Sequence, residues 1–199
     1  MIYYSLFTYS LMCAAIALGI LSFVGLFFGT FLQPFTRGVI SLFAFILSMI
    51  PIHHISFSML LYSIFDTPSF LLFFICLFSI VRTFVNQIGF TISYRGFLFL
   101  AILWLLFAGN AFGIFDWAYG PLGYKILLIS CVIAICYCID RICAVFMLMA
   151  FSLWLPFANT LDLYNAVFDS NVALFGWLMQ SMPLFKNNFH VALLKPKIK

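Results

Sequence analysis

Glutamate is absent from this chain of 199 residues, and its only acidic side chains are five aspartates: Asp66, Asp116, Asp140, Asp162 and Asp169. That absence excludes the glutamate-dependent zinc hydrolases and any carboxylate pair that needs a glutamate. Charge of either sign is also scarce. Charged residues make up 7% of the chain, against about a quarter in a soluble globular domain. No segment is polar enough to form a soluble domain of ordinary size.

Familiar signatures are missing as well. The chain has no Walker loop, no GxSxG and no HExxH, and its six cysteines show no CxxC pair. Cys131, Cys136, Cys138 and Cys143 are spaced by four, one and four intervening residues, unlike structural zinc ligands. They read as small apolar side chains. No cofactor is expected. The start, MIYYSLFTYSLMCAA, lacks a basic region, so it reads as a retained membrane helix and not a cleaved leader. There is no internal repeat and no low-complexity linker.

What the chain does have is apolar bulk. Hydrophobic residues make up 66%, phenylalanine alone contributes 28, and the mean hydropathy is +1.22. Such a chain is solvated largely by lipid. Backbone groups facing lipid must be hydrogen-bonded internally, and the apolar runs are too long and continuous for barrel strands. The expected fold is therefore an all-α integral membrane protein, a polytopic bundle of about 6–7 transmembrane helices. Residues 1–185 form one transmembrane domain in this reading, and residues 186–199 a short basic cytoplasmic tail.

Seven segments carry the pattern. They cover residues 5–33, then from Arg37 toward Asp66 with an interruption at Pro51, and PSFLLFFICLFSIV leading to Arg82. GFLFLAILWLLFAGNAFGIF ends at Asp116, and residues 122–139 and 142–157 are parted only by Asp140 and Arg141 in a tight hairpin. NVALFGWLMQSMPLF, residues 171–185, is short enough either to span or to lie in the interface. Placing Arg37, the Arg82–Arg95 loop, Arg141 and the final lysines on the cytoplasmic side gives an N-out, C-in topology. Only Lys125 and Asp140 break the separation of charge. Asp66, Asp116, Asp162 and Asp169 then share the outer side.

His53 and His54 belong to that side too. Sixteen residues at ~1.5 Å each place His53 roughly 24 Å above Arg37, in a hydrocarbon core ~30 Å thick. Residues 52–65 lack a clean helical face, and ISFSM alternates like extended chain. The candidate catalytic groups are His53, His54, Asp66, Asp116, Asp162 and Asp169. His53, His54, Asp66 and Asp116 are the candidate metal ligands, although neighbouring histidines on a helix point about 100° apart. If residues 159–169 are helical, Asp162, Asn165 and Asp169 share one stripe. A structural reading competes with these roles: Thr67 caps the third helix with Pro68 at its first position, and Asp66 lies near the helix dipole. Asp169 or Ser170 does the same for the last segment. Asn110, among small residues, suits an interhelical hydrogen bond.

The leading functional expectation is a small multi-pass protein of the bacterial inner membrane, part of a larger cell-envelope assembly. Its partners are membrane lipids and other membrane or envelope proteins. The short basic tail suits anionic lipid, and no nucleic-acid partner is expected. A small transporter with a polar outer-face entry is the first alternative. An enzyme acting on a lipid-linked substrate at the outer leaflet, with His or Asp as general base, is the second. An organelle inner membrane is the alternative location.

Overall fold

A computed structural model describes residues 1–28, 33–52, 54–85, 92–114, 120–157, 162–168 and 171–172. Among them the secondary structure is helical throughout, apart from one isolated bridge between Ile52 and Ile55. The order is α1 (Ile2–Phe28), α2 (Pro34–Met49), α3 (Phe57–Phe65), α4 (Phe70–Val85), α5 (Tyr94–Ala111), α6 (Leu122–Ile139), α7 (Arg141–Trp154) and α8 (Leu163–Val167). A 3₁₀ turn, Leu155–Phe157, extends α7.

Local chemistry sets most of these boundaries. Pro34 opens α2 at its first turn, and Ile50, extended at φ −67° and ψ 124°, closes it. A residue before proline is driven out of the helical region, so Pro51 enforces that stop. Ser56 caps α3 by accepting the Met59 N–H at 3.1 Å. Gly113, at φ +72°, ends α5, and the Ile114 N–H reaches back to the Gly109 carbonyl at 2.9 Å. That is the left-handed close for which glycine is suited.

Three expected boundaries are corrected. The residues of ISFSM do not run on as extended chain, because the Ser56 cap starts a nine-residue helix there. Thr67 does not cap the following helix. Ser69 does, accepting the Leu72 N–H at 3.1 Å, and Pro68 lies buried just before it. No helix carries Asp162, Asn165 and Asp169 as a stripe. Asp162 is the cap of α8, which covers only five residues before Phe168 turns extended.

Ring contacts fix the packing direction. Phe7, early in α1, meets Phe45, late in α2, at 5.3 Å; Phe70, at the start of α4, meets Phe157, just beyond α7, at 6.0 Å. Both pairs of helices are therefore antiparallel. Phe78 and Phe146 pack at 4.8 Å between those ends. The core joins Tyr9 and Ala15 of α1, Leu71 and Cys76 of α4, and Met147, Ala150 and Trp154 of α7, all buried. Small residues such as Ala14 and Ala15 let α1 approach its neighbours closely.

Two helices are long and apolar enough to cross a membrane, within Ile2–Ser22 and Leu122–Ile139. Phe35–Met49, Phe70–Val81, Tyr94–Gly109 and Arg141–Phe157 are shorter apolar stretches. Large apolar side chains on the helices face outward, among them Leu42, Phe43, Leu105 and Leu127.

Candidate functional site

The polar groups gather at two ends of the helices. At one end, two tyrosines of α1 hold the turn before α4. The Tyr9 hydroxyl donates to the Asp66 carbonyl at 2.8 Å, and the Tyr4 hydroxyl to the Ser69 carbonyl at 3.1 Å. The Asn171 side chain donates to the same Tyr9 oxygen at 3.3 Å. Tyr9 and Asn171 are buried, so this network joins α1, the Asp66–Ser69 turn and the segment beyond α8 inside the protein.

Asp162 lies at the end of the chain where α6 begins. Its carboxylate pairs with the Lys125 ammonium at 2.7 Å and accepts the Tyr164 N–H at 3.2 Å. Lys125 also lies 5.2 Å from the centre of the Tyr164 ring, which packs on Phe107 at 4.7 Å. A cation over an aromatic face with a carboxylate beside it is a satisfied pair. Lys125 is thus neutralised locally.

His54 and Asp66 share an unusual property. They are the non-glycine residues with positive φ among the described residues, at 71° and 60°. His54 sits in a tight turn closed by paired Ile52 and Ile55 backbone bonds of 3.0 and 3.2 Å. Asp66, at ψ −150°, lies in a region that is essentially glycine-only. Both side chains are exposed. No hydrogen bond joins His54 to Asp66 or Asp162 among the described residues. Nor does any group of three histidine, cysteine or aspartate side chains there have the placement to hold a metal. His53, Asp116 and Asp169 lie outside the described residues, as do Asn159, residues 173–185 of the seventh segment, the basic tail and the Asn110 side chain.

At the other end stands Asp140, the single residue between α6 and α7. One carboxylate oxygen accepts the N–H groups of Ile142 and Cys143 at 2.9 and 3.0 Å, capping α7. The other accepts the Ser93 N–H at 2.6 Å, at the start of α5. Burial alone pushes this carboxyl's pKa up. The bonds from the Ser93 side chain and from the Cys143, Ser93 and Ile142 N–H groups outweigh it and hold the group below the usual carboxylate value. It therefore stays an anion and an acceptor. Gly96 makes room for it: a Cβ there would fall 2.8 Å from the Asp140 Oδ2. Arg141 leaves this knot and lies 5.7 Å from the Tyr137 ring.

Sequence reasoning missed Tyr4, Tyr9, Ser93 and Gly96 as partners in these sites. Tyr9 sits in an apolar helix 57 residues from its acceptor, and nothing local marks the pairing. Ser93 carried a usable signal, because a serine just before an apolar helical run is a cap candidate. Comparison with protein-family models, curated proteins and solved structures gives no match.

Proposed function

We propose that this chain is a polytopic helical membrane protein, a small non-catalytic component of a larger cell-envelope assembly, binding lipid or a partner protein through its helix faces. One observation carries the reading. α6 has a hydropathy of 2.2 over 18 residues, yet only 17% of them are buried inside the fold. Water does not tolerate an apolar surface of that extent, whereas lipid tails or a neighbouring apolar helix cover it without cost to polar groups.

Charge supports an N-out, C-in orientation in a bacterial inner membrane. Arg37, Arg95 and Arg141 fall at the Asp140 end, where positive residues mark the cytoplasmic side. The two charges that broke the separation are neutralised where they stand, Lys125 by Asp162 and Asp140 by four hydrogen-bond donors. Extraction of membranes with alkaline carbonate, followed by native electrophoresis in mild detergent, tests the reading. The chain stays in the membrane pellet and migrates well above its 22.7 kDa mass. Release by carbonate, or migration as an isolated chain with no partner, contradicts it.

A second reading draws on the strain at His54 and Asp66. Strained residues cluster at functional sites, and these two belong to the candidate catalytic set. In that reading the exposed imidazole and carboxylate border a transport entry, or serve as proton-transfer groups toward a lipid-linked substrate.

A further inference from the structure

An apolar groove of about 560 Å³ runs along α1 and α2 and reaches α4. Phe7 and Leu11 of α1, Val39 and Leu42 of α2 and Ile80 of α4 form its walls. The volume lies within the ~300–1,000 Å³ of clefts that bury a small ligand. Its one polar side chain, Ser41, already donates its hydroxyl to the Gly38 carbonyl at 2.9 Å. The groove therefore offers no free hydrogen-bonding group and suits a chain of methylenes.

The end of the groove nearest the start of α2 is different. Phe35 and Gly38 line it, and Arg37 lies between them in the chain. Arg37 is half-buried, and among the described residues no carboxylate pairs with it. An unpaired guanidinium beside an apolar slot presents a fork of donors matched to phosphate. Basic sites between membrane helices on the cytoplasmic side take phospholipid headgroups in the same way.

We propose that this groove binds one anionic phospholipid, with an acyl chain along α1 and α2 and its phosphate on Arg37. The inference rests on the membrane reading above and gives it a specific lipid partner. A zwitterionic lipid fills the slot equally well but brings a compensating cation, so the guanidinium selects for net negative charge.

The full chain, purified in mild detergent, is mixed with phosphatidylglycerol or phosphatidylcholine and analysed by native mass spectrometry. Wild type retains one phosphatidylglycerol at least tenfold more readily than phosphatidylcholine. Arg37→Gln lowers that retention about tenfold, to the phosphatidylcholine level, and Arg37→Lys restores part of it. Val39→Trp, at an exposed position, fills the slot and abolishes retention of both lipids while helicity by circular dichroism stays unchanged. Equal retention of the two lipids, or retention indifferent to Arg37→Gln or to Val39→Trp, overturns the proposal. So does efficient cross-linking of Val39→Cys to a second copy, which makes another chain the occupant. Carbonate extraction separates the two readings: a chain that stays in the membrane but retains no lipid sinks this site alone, whereas a chain released by carbonate sinks the membrane reading.

Discussion

The Asp140 carboxylate accepts the Ser93 N–H at 2.6 Å across 47 residues of chain, tying the start of α5 to the turn between α6 and α7. The same carboxylate caps α7 through Ile142 and Cys143. Replacing it with alanine removes a cap worth about 0.5–2 kcal/mol and leaves the Ser93 N–H without its acceptor. Asp140→Ala is expected to lower stability by about 2–4 kcal/mol, since bonds to a charged group add about 1.5–3 kcal/mol. Thermal unfolding in detergent measures it, and a loss below 1 kcal/mol contradicts the tether.

The sign of the pH dependence follows from the same carboxylate. Its folded pKa is depressed below the ordinary 3.8, so its stabilisation is fully present above that value and is lost as pH falls through the lower folded value. The unfolding midpoint is expected to drop on acidification below about pH 4, and Asp140→Asn flattens that part of the profile. A midpoint that responds to acid equally in both proteins argues against Asp140 as the titrating group.

Gly96 leaves space for that carboxylate. An added Cβ lies 2.7 Å from Ile92 Cγ2 and 2.8 Å from Asp140 Oδ2, so Gly96→Ala displaces the oxygen that holds Ser93. A cost of about 1–3 kcal/mol is expected. In the Asp140→Ala background the penalty should shrink, because the clash and the bond share one atom. Additive losses in the double variant show that the two act independently.

Tyr9 offers a contrast at the other end. Tyr9→Phe removes the hydroxyl that donates to Asp66 and accepts from Asn171, and is expected to cost about 1–3 kcal/mol because those groups are left buried with a lost partner. Asp66→Gly relieves the backbone at φ +60° and should raise stability by about 1 kcal/mol. If a flux or turnover assay is found, that variant decides between strain and chemistry: unchanged activity with higher stability makes the residue a turn, and lost activity with higher stability makes its carboxylate functional.

The parts of the fold that were legible in the sequence are those written in adjacent residues. Asp140 stands alone between two apolar runs and is a residue type that caps helices, so the α6–α7 boundary could be read to the residue. α3 was hidden because a nine-residue apolar stretch gives too few turns for a helical period to separate from strand alternation. The choice of Ser69 over Thr67 depends on the turn held by Tyr4 and Tyr9, which no local window contains. Lys125 and Asp162 were each visible as charges, and their pairing across 37 residues was not. The candidate site was legible only as a side of the molecule. Convergence of its groups is a tertiary property, and of the groups described, Asp162 turns to Lys125 while His54 and Asp66 stay in separate turns.

The central claim is that the Lys125–Asp162 end lies outside the membrane and the Asp140–Arg141 end inside. Single cysteines in a background stripped of the six native ones test it with a membrane-impermeant maleimide on intact cells. Gly123→Cys enters open space at the start of α6, and Tyr94→Cys replaces an exposed side chain at the start of α5. The account predicts labelling of Gly123→Cys on intact cells, and of Tyr94→Cys only after the membrane is opened. Labelling of both on intact cells, or the reverse pattern, contradicts it.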